Sequence, residues 1–187
     1  MRTLQKIPLG AVVGLFALVS AGGVADARLT SAQAANVTFN AAGPAGMKIT
    51  GTTSDLRVAD DGQNIAITVA LGQLTTGIDL RDRHMREKYL EVPTYPTALL
   101  TVARSALTIP AAGAPVDANV SATMTLHGKS QPVSVHYTAS RDGTTLHITG
   151  TTHIKMGDFN ITAPTYLGLT VKPDVDVAVR FDATDTP

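Results

Sequence analysis

The chain contains no cysteine and no tryptophan, and its 187 residues include four Phe and four Tyr. Without cysteine there is no disulfide to staple the fold, no thiolate nucleophile and no Cys-based zinc centre. A bacterial lipoprotein's lipid would also have nothing to attach to. With so few aromatics, the interior has to be built from aliphatic side chains. Charge is sparse, at 16% of residues, and balanced, with 15 basic against 15 acidic. That balance gives no electrostatic reason to expect nucleic acid or an anionic membrane surface as a partner. There is no H-E-x-x-H or H-x-x-E-H run, no G-x-S-x-G elbow and no phosphate loop. Metalloprotease, serine hydrolase and nucleotide chemistry therefore have no motif to rest on.

What is present begins with the N-terminus. Arg2 and Lys6 give a positive start, Ile7–Val19 is an uncharged apolar run, and Ala25-Asp26-Ala27 fits a small-x-small cleavage site. The run is shorter than the roughly 20 residues of a membrane span. Residues 1–27 are therefore expected to be a signal peptide, with Ala32-Gln33-Ala34 as a second candidate cut. The product is expected to be exported, periplasmic or secreted, with no stable membrane anchor. Residues 28–35 are expected to form a flexible mature N-terminus, and 36–187 one folded domain.

Strand signals dominate that domain. Short alternating runs at 36–40 and 47–53 flank Gly43-Pro44. Asp60-Asp61-Gly62 marks a turn, after which Ile65, Ile67, Val69 and Leu71 share one face. Ala98–Leu107, Ala118–Leu126, Pro132–Ser140 and Pro173–Phe181 continue the pattern, with a turn at Gly128–Gln131 and a Pro/Gly loop at Pro110–Pro115. Asp142-Gly143 is a hairpin signal, because both residue types accept positive φ. With those two as the loop, Tyr137 pairs with Ile148 and Val135 with Gly150. Tyr137, Ile148, Ile154 and Met156 then share the apolar face, and His136, His147 and His153 fall on the polar one. About eight such strands suit an antiparallel barrel or a two-sheet sandwich. Eight barrel strands enclose either a filled core or room for one small ligand, and composition leaves both open.

One stretch breaks the pattern. Thr75–Thr97, TTGIDLRDRHMREKYLEVPTYPT, packs three Arg, one Lys, two Asp, two Glu and a His beside two prolines. Asp79 is a good helix cap and LRDRHMREKYL is made mostly of helix formers. A helix over Asp79–Lys88 is expected, ended by Pro93 and Pro96. Asp79, Asp82 and Glu87 are expected to pair with Arg81, Arg83 and Arg86 and pin the helix across a barrel end. An arginine at a barrel mouth is also suited to a polar or phosphorylated head group.

The block resembles the signature of the YceI-like family: a Thr-Gly, an Arg-Asp-x-His-Met helix, then Tyr-Pro before a strand. ATMTLHGKSQPVSVHY (Ala122–Tyr137) is similar to that family's Leu-His-Gly hairpin, and Asp158-Phe159-Asn160-Ile161 more weakly to its Asp-Phe run. The resemblance runs from Val37 to Ala183. The chain departs from the family in lacking the N-terminal Trp and in carrying Tyr89, Leu90 and Val92 where paired Phe is usual. The resemblance implies an all-β, extended lipocalin-like antiparallel barrel with one short helix. It also implies an exported carrier of a long apolar ligand, such as a polyisoprenoid, quinone or fatty-acid-like amphiphile. The lumen residues would be Ile67, Val69, Val120, Met124, Tyr137, Ile148, Ile154 and Met156. The mouth would be formed by Arg81, Asp82, His84, Met85, Tyr89 and Tyr95. No catalytic residue, cofactor, metal or nucleic-acid partner is expected, and monomer and homodimer stay open. The alternative is an exported structural or interaction module whose barrel is filled.

Overall fold

The computed structural model of the protein describes residues 28–166 and 168–186; the expected signal peptide lies outside the described residues. In chain order these form β1 (Arg28–Ala42), β2 (Lys48–Thr53), β3 (Leu56–Asp60), β4 (Asn64–Ala70), α1 (Asp79–His84), β5 (Thr97–Ala103), β6 (Val116–Leu126), β7 (Lys129–Asp142), β8 (Thr145–Lys155), β9 (Thr165–Tyr166), β10 (Leu169–Thr170) and β11 (Asp174–Thr186). Nine strands make one antiparallel sheet in the order β2-β1-β11-β8-β7-β6-β5-β4-β3, and β9 and β10 form a small separate hairpin. Sequential hairpins account for most neighbours. The exception is β11, which inserts between β1 and β8.

The sheet curls into a nearly closed barrel. Two residues after β2 the chain bends into β3, which pairs with β4 and lies against β1. At that seam the Leu29 N–H donates to the Asp60 carboxylate at 3.0 Å. The upper end carries the 43–47 turn, the 71–96 segment with α1, the β6–β7 turn and residues 156–166 and 168–173. The lower end carries the β3–β4 and β7–β8 turns and residues 104–115.

Inward and outward residues alternate as a half-buried sheet requires. In β6, Val120, Ala122, Met124 and Leu126 are buried, while Ser121 and Thr123 are exposed. The β6–β7 turn is His127-Gly128, both at positive φ (50° and 71°), since Leu126 pairs with Lys129. That is the primed geometry that follows strand twist.

Four expectations differ from the structure. The β7–β8 loop is Gly143-Thr144, with Asp142 paired to Thr145, so Tyr137 faces Gly150 and Val135 faces Thr152. Only Gly143 has positive φ there (58°), as a turn with glycine first requires. The shift is two residues, so every side chain keeps its face. Residues 28–35 are not a flexible tail. They are the first half of β1, paired with β11 from Arg28↔Thr186 onward through irregularities between Thr30 and Asn36. Leu29 anchors that half, at 4% exposure. Leu56–Asp60 is a strand, which raises the sheet to nine. Finally, α1 ends at His84 and passes into a π-helical turn, Met85–Tyr89; Asp79 is its first helical residue and Ile78 its cap.

Candidate ligand cavity

The barrel interior divides along its length. In the upper part Leu71, Leu74, Met124, Leu126, Ile154 and Phe159 are buried together. Met85, Tyr89, Leu90 and Val92 pack on them from the helical segment. The lower part encloses a cavity of about 80 Å³. Its walls are Val, Ile, Leu, Ala and Phe side chains of the inner face together with Tyr137 and the backbone at Gly150, closed below by Leu107, Thr108, Ile109 and Pro110. The polar groups at its edge are tied off. The Thr108 N–H donates to the Tyr137 hydroxyl at 2.9 Å, and that hydroxyl lies 3.4 Å from the Thr108 carbonyl. An apolar cavity without free polar partners holds no ordered water, so it offers hydrocarbon surface only.

The expected lumen residues separate accordingly. Ile67, Val120, Tyr137 and Ile148 line the cavity. Met124, Ile154 and Met156 belong to the buried upper cluster, and Val69 packs beside Leu56 and Phe181. The strap Leu107–Pro110 was missed as a wall. Its signal was the apolar alternation of Leu107 and Ile109 continuing past the strand into the Pro/Gly loop.

Both ends are held by buried carboxylates. At the upper end Asp82 is buried and accepts from the Thr75 hydroxyl (2.5 Å), the Thr76 N–H (2.7 Å) and the Thr76 hydroxyl. Burial pushes its carboxyl up, but these hydrogen bonds and the nearby Arg86 charge outweigh burial and leave it below the usual value. The expected pairing of Asp82 with helix arginines gives way to these threonines. Arg81 donates to the Thr76 hydroxyl and carbonyl, at 2.7 and 2.9 Å, and Arg86 to the Leu74 carbonyl at 3.2 Å. His84 is exposed. Tyr95 lies over the Gly128 turn, where a Cβ would come within 2.8 Å of its ring, and packs tilted against His127, with ring centroids 4.6 Å apart and planes at 59°. His127 in turn donates Nδ1–H to the Phe159 carbonyl at 3.2 Å. The Tyr-Pro, Leu-His-Gly and Asp-Phe stretches thus meet at one place and hold the upper rim.

At the lower end Asp60, with no side-chain exposure, pairs with Arg104 and also receives the Leu29 N–H. Arg141 pairs with Asp185 and donates to the Pro110 carbonyl at 2.8 Å. These contacts lock the strap to β1, β7 and β11.

A larger hollow of about 410 Å³ lies on the outer face around His136, His153, Thr151 and Asp176. It is open to solvent, so it cannot desolvate an apolar molecule. The outer histidines face carboxylates on adjacent strands rather than one another. His147 pairs with Asp182 (2.7 Å), His153 with Asp176 (2.8 Å) and Asp174 (3.1 Å), and His136 lies 3.6 Å from Asp117.

Comparison with known proteins places this geometry. The YceI-like domain family matches residues 24–183. Among solved structures, a polyisoprenoid-binding domain from Saccharophagus degradans implicated in plant cell wall breakdown superposes with a TM-score of 0.71. It shares 21% identity, over 87% of this chain and 99% of that one. BcnA of Burkholderia cenocepacia gives 0.64 at 21% identity, covering 80% and 96%. The Campylobacter jejuni YCEI protein gives 0.57 at 15%, covering 74% and 86%. None of the curated proteins matches the chain.

Proposed function

The chain belongs to the YceI-like family, and from that premise we propose that it holds one long apolar molecule in its lumen and carries or sequesters it outside the cytoplasm. The candidates are a polyisoprenoid, a quinone or a fatty-acid-like amphiphile. The observation that carries this reading is a lumen lined by hydrocarbon and incompletely filled at its lower end. Each CH₂ moved there from water is favourable by ~0.8 kcal/mol, and nothing polar has to be desolvated to admit it. The similar domain from S. degradans is described as polyisoprenoid-binding, which supports the ligand class. The positive, apolar and small-residue order of Arg2 to Ala27 supports export.

The cavity of about 80 Å³ is smaller than the roughly 150 Å³ that admits benzene in an engineered apolar cavity. A long chain therefore enters by displacing side chains, not by sliding into a standing tunnel. Two walls are held by hydrogen bonds between loop and side chain instead of a strand ladder: the 71–96 segment and the Leu107–Pro110 strap. The same small volume favours the second reading, a filled barrel acting as a structural or interaction module. Mass spectrometry of material that co-purifies from the native host, followed by titration of the stripped protein with a fluorescent polyene, separates the two. One lipid per chain and saturable probe binding are expected. If no lipid co-purifies and the probe does not bind, the carrier reading fails and the filled module stands.

A further inference from the structure

Four large hydrophobic side chains are exposed among the described residues: Met47 (51%), Ile78 (52%), Leu80 (58%) and Leu169 (58%). Scattered singly they would need no explanation. They are not scattered. Met47 sits beside the β1–β2 turn, Ile78 and Leu80 at the start of α1, and Leu169 on the β9–β10 hairpin. All three places belong to the upper end.

Charge follows the same division. The five lysines of the described residues, Lys48, Lys88, Lys129, Lys155 and Lys172, are exposed and all lie at the upper end, where Arg83 joins them. These six cations outnumber the five carboxylates exposed there, Asp79, Glu87, Glu91, Asp158 and the Asp174 side chain beside Lys155. The lower end presents Asp61, Asp117 and Asp142 against one exposed cation, Arg28. A chain balanced overall is thus polarised along the barrel axis, a segregation that total charge conceals.

We infer that the upper rim docks reversibly on an anionic phospholipid surface. Loop-borne apolar side chains ringed by lysines are the composition of peripheral membrane contact: the apolar tips enter the headgroup boundary and the ammonium groups meet lipid phosphates. Lysine stems can lie along the boundary while their charges stay in water. The contact concerns the outside of the barrel and holds whatever the lumen contains, so its failure and that of the lumen reading are separable.

The absence of tryptophan supplies the test. Single reporters Leu80→Trp and Leu169→Trp at the rim, and Ala112→Trp at the lower end, are mixed with vesicles of phosphatidylglycerol and phosphatidylcholine or of phosphatidylcholine alone. Rim reporters should shift to the blue and be quenched by brominated lipid, with Ala112→Trp unchanged. Binding should weaken at least about tenfold between low and high salt and at least about tenfold in a Leu80→Asp/Leu169→Asp variant whose melting is unaltered. Because the reporters mark the rim, adhesion through the apolar N-terminal residues does not mimic the result. The inference is overturned if no reporter responds or if all three respond alike. Equal binding to neutral vesicles at high salt also overturns it. So does a rim response that tracks protein concentration instead of lipid, which would assign the rim to a second copy of the chain.

Discussion

The two ends of the barrel are closed by the same chemistry written at different ranges. At the upper end, Asp82 gathers Thr75 and Thr76 from seven and six residues away. At the lower end, Asp60–Arg104 and Arg141–Asp185 each join residues 44 apart. A local brace compresses its partners into a dense block that stands out in any reading of the chain. A long-range brace spreads single charged residues among strands, where each looks like a solvated side chain. The ends also differ inside: a cluster of buried side chains lies beneath the helical segment, and the cavity of about 80 Å³ lies at the other end. Conspicuous sequence therefore marks the end with the buried cluster, while the cavity lies behind inconspicuous residues.

The sharpest way to break the comparison is at the lower brace. Removing one partner of a buried pair leaves the other charge uncompensated, at about 3 kcal/mol or more. Asp60→Asn should therefore lower the unfolding free energy by about 3 kcal/mol in denaturant titration. It should also free the start of β1 to exchange amide hydrogens.

Next comes packing. Met124→Trp in the buried upper cluster should cost ~1–3 kcal/mol by overpacking, whereas Ala122→Ile, which grows into the cavity, should be close to neutral. Equal costs in thermal unfolding would mean that the lumen is uniformly packed.

A smaller effect is expected at the upper brace, because Thr75 is exposed and can turn to water. Asp82→Asn should cost about 1–2 kcal/mol. The Asp82 carboxyl is held below its usual value, so its contribution is complete above the unfolded carboxylate range and lost as pH falls through the lowered value. Parent and variant should accordingly converge in acid.

The smallest effect is on the outer face. Hydrogen bonds from Asp176 and then Asp174 raise the His153 imidazole above its ordinary value. A raised histidine stabilises below its unfolded value and loses that contribution as pH rises through the folded one. His153→Gln should therefore cost under ~1 kcal/mol at pH 5.5 and nothing at pH 8, as read from melting temperatures.

Much of the fold was legible because face assignment depends on parity alone. The β7–β8 register was two residues off, yet Tyr137, Ile148 and Ile154 were all placed inward, since an even slip preserves faces. What stayed hidden had no alternation to read. Arg28–Ala35 is polar and alanine-rich and becomes a strand through its pairing with β11. Leu56–Asp60 is five residues with a charge at its second and last positions. Of the candidate site, four of eight lumen residues line the cavity. The other four share their inward face but sit higher, and height along a barrel depends on shear and on where the helical segment tucks in. Neither is encoded in alternation.

The pairing of the first strand with the last has a kinetic consequence. Since β11 lies between β1 and β8, the ladder from Arg28↔Thr186 joins the extremes of the domain, and the mean sequence separation of contacts is high. Folding speed falls as that separation grows. As the chain emerges from its N-terminus, β1 and β2 wait as an open ribbon with exposed hydrogen-bonding edges until the final strand arrives. Such edges are where chains pair wrongly with one another. The ladder that ties β1 to β8 through β11 cannot form before the last strand is made, so losing β11 would remove the fold's closure rather than trim its end.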